Sequence, residues 1–202
     1  GNELVWGSAF AMYSVIMGHL GEDIVAANSV VNTVRQLGSV LCFGMAYGGA
    51  IVVGKYMGAG DMAVAERNAS RLARVTIFAG VLGAVLLICL YPVLPYIADL
   101  NETAAHYRNI LLFINAYSLI GASINTVLIC GIFRAGGDSK FGFVADTINM
   151  WCVSVPLGLL AAFVFKLPPL WVYFILFLDE FEKMPFVIHH YFKKGWLRNI
   201  TR

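Results

Sequence analysis

The sequence predicts an all-α polytopic membrane protein, a bundle of six transmembrane helices. Of its 202 residues, 59% are hydrophobic and only 13% charged, against roughly 45–50% and about 25% in soluble domains. The apolar residues gather in long runs parted by short polar turns, and a helix of roughly 20 apolar residues crosses a bilayer core. The runs are continuous rather than alternating, which argues against the dyad-patterned strands of a membrane barrel. In lipid, backbone groups must also pair internally, and helices do this within one segment.

The first span, 2–17, is shorter than a crossing needs, so the chain reads as truncated upstream and Glu3 as lying deeper than its number implies. The opening Gly-Asn-Glu has no initiator Met, basic stretch or cleavage site, and no signal peptide is read there. Gly18 and Gly21 end the span. The second and third spans, 24–57 and 62–98, exceed one crossing and meet at Gly58-Ala59-Gly60-Asp61. Lys55, Glu66, Arg67, Arg71 and Arg74 surround that turn, so part of each helix is expected to project into water. The fourth span, 104–133, follows Asp99-Leu100-Asn101; the fifth, 141–165, follows Gly136-Gly137-Asp138; the sixth, 170–192, follows Pro168-Pro169. Asn101 and Asp138 stand where helix N-caps are expected. No turn is long enough for a separate domain, so residues 1–202 read as one six-helix lobe. Gly44 with Gly48, and Gly54 with Gly58, have the spacing of close helix packing.

Positive residues favour cytoplasmic connections. Lys55, Arg67, Arg71, Arg74, Arg134, Lys140, Lys193, Lys194, Arg198 and Arg202 fall on one side of the predicted bundle. Only Arg108 and Lys166 fall on the other. Both chain ends are therefore expected to be cytoplasmic, as an even number of spans requires. A net charge of +2 without a basic patch excludes nucleic acid as a partner; the partner is the lipid bilayer. Cys42, Cys89, Cys130 and Cys152 lie singly in apolar runs and read as packing residues. No HExxH or Walker spacing occurs, so no metal or nucleotide cofactor is expected and uphill transport would draw on an ion gradient or another subunit. His19, His106, His189 and His190 lie near turns, where solvated side chains are the default.

Ionisable groups within spans are the functional leads, because each costs about 2.5–3.5 kcal/mol or more at mid-bilayer. Glu3 is open to two readings, a carboxylate that binds H⁺ or Na⁺, or an interfacial residue. Asn28, Asn32, Arg35 and Ser39 repeat at four, three and four residues, which places them on one face of the second helix. That face either lines a substrate cavity or pairs Arg35 with a carboxylate of another helix. On the fourth helix, Asn115, Ser118, Ala122 and Asn125 form a small and polar seam that lines a cavity or glues helices together. Asp146 and Asn149 on the fifth helix are open to the same choice. In the last span, Asp179 and Lys183 stand at i and i+4 and are expected to pair. Glu180 is expected to point away from them as a cavity candidate, and Pro185 to kink the helix. Phe10, Met12, Tyr13, Phe43, Met45 and Tyr47 read equally as cavity lining, core or lipid-facing residues.

The turns carry a more specific pattern, Gly54-x-x-x-Gly58-Ala59-Gly60-Asp61-x-x-x-Ala65 and Gly131-Ile-Phe-Arg134-Ala-Gly136-Gly137-Asp138-Ser139-Lys140, followed by Trp151 and Pro156-Leu157-Gly158. These resemble the multidrug and toxic compound extrusion (MATE) family, whose second six-helix half matches nearly the whole chain in helix order. The resemblance implies a twelve-helix antiporter of two lobes around a central cavity, with the first lobe absent from this chain. It implies export of small organic, often cationic, compounds in exchange for H⁺ or Na⁺, in the bacterial inner (plasma) membrane. Glu3, before Leu4-Val5-Trp6, resembles the acid many members use for cation coupling. An acid that Na⁺-coupled members carry in the fourth helix is replaced here by Ser123 and Asn125. The alternatives are a lipid-linked precursor flippase of the related superfamily, argued against by Arg35 being the only cation read in the apolar body, an inactive or structural half-transporter, or a membrane enzyme, which lacks the expected acid-base spacing.

Overall fold

The computed structural model describes residues 1–198; Arg202, counted above among the cytoplasmic cations, lies outside them. Helix α1 (Asn2–His19) is followed by α2 (Glu22–Gly58), α3 (Met62–Cys89), the single turn α4 (Leu94–Ile97) and α5 (Glu102–Thr126). Helix α5 runs on as a wide π-helical segment, Val127–Phe133. Helix α6 (Ser139–Thr147) continues through a π segment (Ile148–Ser154), α7 (Val155–Leu159) and a second π segment (Leu160–Val164). Helices α8 (Pro169–Leu176) and α9 (Asp179–Phe192) complete the order. Four stretches, Glu22–Gly58, Met62–Cys89, Glu102–Phe133 and Ser139–Val164, are each long and apolar enough to cross a membrane. The bundle agrees with the expected helical fold, with α1 and the α8–α9 pair as its remaining passes.

Several boundaries differ from expectation for local reasons. The third span was expected to reach residue 98, but α3 ends at Cys89, because Pro92 has no N–H to continue it and biases Tyr91 away from helical geometry. The sixth span breaks at Phe177 and Leu178 rather than at Pro185, through which α9 continues. At the break the Leu178 N–H donates to the Ile175 carbonyl three residues back, 3.3 Å away, a 3₁₀-type tightening that closes α8 before α9 begins. Pro156 has the opposite effect on the fifth span. Its missing N–H loosens the preceding turn into the π segment, where Ser154 Oγ donates to the Asn149 carbonyl five residues earlier, at 3.2 Å. Asn101 caps α5 as expected, accepting from Ala104 N at 2.7 Å. Asp138 makes no cap hydrogen bond; its Oδ2 instead meets His190 Nε2 at 2.6 Å, so His190 is not the solvated side chain expected.

Of the predicted glycine pairs, Gly44 and Gly48 face open space and provide no close contact, and a Cβ at Gly54 would make an ordinary van der Waals approach to Ala135. Instead, a Cβ at Gly38 would stand 3.0 Å from Leu119 Cδ2, one at Gly131 would stand 3.0 Å from the Ala46 carbonyl, and one at Gly80 would overlap Ser123 Oγ. These contacts draw α2, α3 and α5 into a tight three-helix unit. Cys42 and Cys130 are buried within the bundle, whereas Cys89 and Cys152 are on its exterior, where Leu37, Ile51, Phe78, Val85, Phe163 and other large apolar side chains also stand, as a lipid-facing surface requires.

Alternate connections gather at opposite ends. At one, Lys194 Nζ meets Glu66 Oε1 at 2.6 Å, Ser70 and Tyr191 hydroxyls lie 3.1 Å apart, and Arg134 pairs with Glu3 at 3.3 Å. At the other, Asn101 Nδ2 donates to Asp23 Oδ1 at 2.6 Å and His19 stands 4.5 Å from the Phe163 ring. Between the ends lie two apolar cores. One is built on Tyr13, Ile16, Ile24, Leu111, Leu119, Tyr173 and Leu176, the other on Ala46, Met57, Ala65, Leu128, Phe133, Val187 and Trp196. Along α5 and α9, the residues between the two sets are polar: Asn125 on the first, Asp179, Glu180 and Lys183 on the second.

Candidate functional site

The polar stripe of α2 borders a cavity of about 360 Å³. Asn28, Asn32, Arg35 and Ser39 share one helical face and all four line it, as does Gln36. Across from them α1 contributes Trp6, Phe10 and Tyr13, α5 contributes Leu119, Ala122 and Ser123, and the α8–α9 break contributes Tyr173, Phe177 and Glu180. Arg35 does not form the interhelical ion pair that was its alternative reading. Its guanidinium carbon stands 5.1 Å from the centroid of the Phe177 ring, a cation–π arrangement that leaves its N–H groups available to the cavity. Phe177 in turn stacks on Tyr173 at 4.3 Å. Met12 and Met45, open between core and lining at the level of sequence, pack against the two cores, and Tyr47 stacks beside Phe43.

Three of the expected lining residues are instead buried connectors. Asn115 donates through Nδ2 to the Tyr173 hydroxyl at 2.7 Å and to the Leu111 carbonyl at 2.8 Å, so it fixes the wall rather than forming it. Asn125 donates to the Glu180 backbone carbonyl at 2.6 Å and to Glu180 Oε2 at 2.8 Å. Asp146, fully buried, accepts from Lys183 Nζ at 3.2 Å. Each pays off a buried polar group on a neighbouring helix, which is why the inward faces of α5 and α6 carry them.

The charges of α9 pair differently from their sequence spacing. Lys183 does not reach Asp179. Its ammonium sits between Glu180 Oε2 at 3.1 Å and Asp146 Oδ1 at 3.2 Å, and 5.6 Å from the Trp6 ring. Glu180, expected to point away from that pair, is thus Lys183's own partner and a cavity residue at once. Asp179, expected to be neutralised, is buried; its one side-chain hydrogen-bond partner among the described residues is the Tyr13 hydroxyl, at the long distance of 3.5 Å, and the Glu180 backbone N–H lies beside its carboxylate. Asn149 Nδ2 holds the Asp179 backbone carbonyl at 2.8 Å. Sequence reasoning missed the cavity roles of Gln36, Tyr173 and Phe177. Gln36, four residues after Asn32, would have extended the stripe, but the two aromatics carry no signal in the sequence.

Glu3 stands apart from this assembly. It lies in the first turn of α1, with its side chain 64% exposed and its partner Arg134 38% exposed. Among the described residues, no group of His, Cys, Asp and Glu gathers as a metal cage.

A family pattern described as MatE matches residues 2–160. Multidrug and toxin extrusion protein 1 of Xenopus tropicalis is 28% identical over 193 residues, covering 94% of this chain and 33% of that protein. Its human counterpart is 25% identical over 159 residues. The probable multidrug resistance protein NorM of Xylella fastidiosa is 27% identical over 158 residues, again 33% of its own length. Among solved structures, a transporter of the MOP superfamily from Pyrococcus furiosus superposes with a TM-score of 0.87 at 16% identity, over 99% of this chain and 44% of that one. An outward-facing MATE family transporter gives 0.84 at 17% identity. The chain therefore spans about a third of the curated relatives it matches and less than half of the solved chains. The motifs, the membrane-spanning bundle and the family pattern agree: the chain belongs to the MatE family of integral membrane transporters.

Proposed function

We propose that this chain forms the second six-helix lobe of a twelve-helix antiporter, in which it lines the path of a small organic compound exported in exchange for H⁺ or Na⁺. The observation that carries this reading is the cavity. It opens between α1, α2 and the α8–α9 break, and its wall combines aromatic rings with the amides of Asn28, Asn32 and Gln36 and the guanidinium of Arg35. Such a mixture of apolar surface and a few polar groups holds amphipathic organic molecules. Discontinuous helices beside a mid-protein cavity are a recurring transporter device, and the α8–α9 break supplies one.

Alternating access follows from rocking of this lobe against the other, with both chain ends cytoplasmic and the protein in the plasma membrane of a bacterium. The end carrying Glu66, Arg134, Lys194 and the Gly136-Gly137 turn supports that orientation through its excess of basic residues. Glu3, in the first turn of α1 beside Arg134, is the proposed cation-sensitive carboxylate: exchange of its ion for the Arg134 contact changes how α1 meets the end of α5. Arg35 is the only cation on the cavity wall among the described residues, which disfavours a flippase that must hold a pyrophosphate.

The test is transport by the complete protein in proteoliposomes. Ion-gradient-driven efflux of a fluorescent organic dye is expected from the wild type, and Asn32→Leu is expected to raise the half-saturating dye concentration. Glu3→Gln, which keeps the shape and removes the charge, is expected to abolish the dependence on the ion gradient. Efflux unchanged in Glu3→Gln removes Glu3 from the mechanism; absence of any gradient-driven efflux from the wild type removes the antiporter reading.

A further inference from the structure

The polar layer between the two apolar cores contains more negative than positive charge. Asp146, Asp179 and Glu180 are all buried there. The cations facing them are Lys183 on α9, also buried, and Arg35 on α2, which stands over Phe177 beside the break. Three carboxylates therefore face two cations. A buried carboxylate without a counter-charge is strongly disfavoured and takes up a proton instead.

The geometry selects which one. Lys183 contacts Asp146 and Glu180 directly, and Glu180 also accepts the Asn125 amide at 2.8 Å. Asp179 has neither. Around it stand Tyr13 from α1, Arg35 from α2, Asn149 from the π segment after α6, and Glu180 and Lys183 from its own helix, with Asp146 behind Lys183. Of these only Tyr13 offers its carboxylate a side-chain contact, at 3.5 Å. Donors in the layer do not reach every acceptor. Asn125 Oδ1 and Asp146 Oδ2 are buried acceptors that find no partner, although the Asn125 amide touches Glu180 and the other Asp146 oxygen touches Lys183.

We propose that Asp179 is a proton-binding site, separate from Glu3, that exchanges its proton with the cavity past the Tyr13 hydroxyl. The step is a simple transfer: the Asp179 carboxylic acid releases H⁺ to water in the cavity and becomes a carboxylate, and the reverse reloads it. Tyr13 and Glu180 both line the cavity, so the exchange path is short and its occupancy responds to charge in the cavity. Lys183 already fills the position between two carboxylates that a metal cation would take, so the ligand is a proton rather than Na⁺. The proposal refines the antiporter reading above and rests on it for its biological use, but the protonation itself is measurable without transport.

The experiment is an infrared pH titration of the purified chain in detergent, following the carbonyl stretch of buried carboxylic acids, with circular dichroism as a folding control. A buried-acid band at neutral pH is expected in the wild type and in Glu3→Gln. It should be lost in Asp179→Asn, kept in Asp146→Asn, and shifted in frequency by Tyr13→Phe. Replacing choline chloride by sodium chloride at constant pH should leave it unchanged. A wild type without the band overturns the proposal, as does a band that survives Asp179→Asn, disappears in Asp146→Asn, or is displaced by Na⁺. If Asp179→Asn does not fold, Tyr13→Phe decides, and an unshifted band overturns the assignment. Because the readout needs no substrate, a band without dye efflux would refute the antiporter reading and leave the proton site standing.

Discussion

Replacing Lys183 by Met removes the one buried ammonium of the polar layer while keeping most of its volume. The side chain is 2% exposed, and its Nζ lies 3.1 Å from Glu180 Oε2 and 3.2 Å from Asp146 Oδ1. At an effective dielectric constant of about 20, each contact is a Coulombic attraction of roughly 5 kcal/mol, most of which offsets the desolvation of the three groups. The net loss is therefore set by what remains, two carboxylates buried among apolar residues. Breaking such a pair by removing one partner costs about 3–5 kcal/mol. Removing all the charges should cost far less, since a buried ion pair replaced by neutral groups of similar shape is often neutral in stability. The measurement is unfolding in mixed micelles with increasing sodium dodecyl sulfate, followed by tryptophan fluorescence. Lys183→Met is expected to lose about 3–5 kcal/mol, and the triple variant with Asp146→Asn and Glu180→Gln to recover to within about 1 kcal/mol of wild type. A single variant within about 0.5 kcal/mol of wild type would refute the ion-pair account, and so would a triple variant as unstable as the single one.

Two further perturbations test the packing around the site. Gly136→Ala would drive a Cβ into the Trp196 carbonyl, and overpacking of this kind costs about 1–3 kcal/mol; faster proteolysis after Lys193 or Lys194 is expected as the terminal segment lifts, and unchanged proteolysis would show that the contact is not constraining. Asn101→Ala removes both the α5 cap and the hydrogen bond to Asp23, a loss of about 1 kcal/mol from the cap alone. The corresponding shift should appear in the thermal midpoint of the purified chain, with faster exchange at the Ala104 amide.

How much of this was legible in the sequence depended on the distance over which each signal acts. Hydrophobic runs and breakers act locally, so the helix order, the Gly58–Asp61 turn and the Asn101 cap could be read directly. The α2 stripe was legible for the same reason. Its four-three-four spacing fixes a common face, and the only contact needed to decide between cavity and ion pair was whether a carboxylate reached Arg35. Among the described residues none does, and Phe177 occupies that place. The seam on α5 was equally visible but ambiguous, because Asn115 and Asn125 obey the same inward-facing rule whether they meet water or a neighbouring helix. Their partners, Tyr173 and Glu180, lie 58 and 55 residues away.

The pairing within α9 shows the limit most clearly. An i, i+4 spacing makes Asp179 and Lys183 neighbours on an isolated helix, but an i, i+3 spacing does the same for Glu180 and Lys183. On an exposed helix the two differ by only tenths of a kcal/mol. Here the choice was made by a third group. Asp146, reaching in from α6, draws the ammonium to the Glu180 side, and the Asn125 amide holds Glu180 there. The helix break at Phe177 and Leu178 belongs to the same arrangement: Asn149 and Asn125 hold the Asp179 and Glu180 carbonyls, so α9 starts where these amides anchor it, with no proline or glycine to mark the place. The unpaired Asp179 is then a consequence of tertiary competition for one lysine. Its proposed proton and the stability lost in Lys183→Met are two measurements of that same competition. If Lys183 stood nearer Asp179 in the membrane, the infrared band should vanish from the wild type, and Asp179→Asn should rescue Lys183→Met better than Asp146→Asn does.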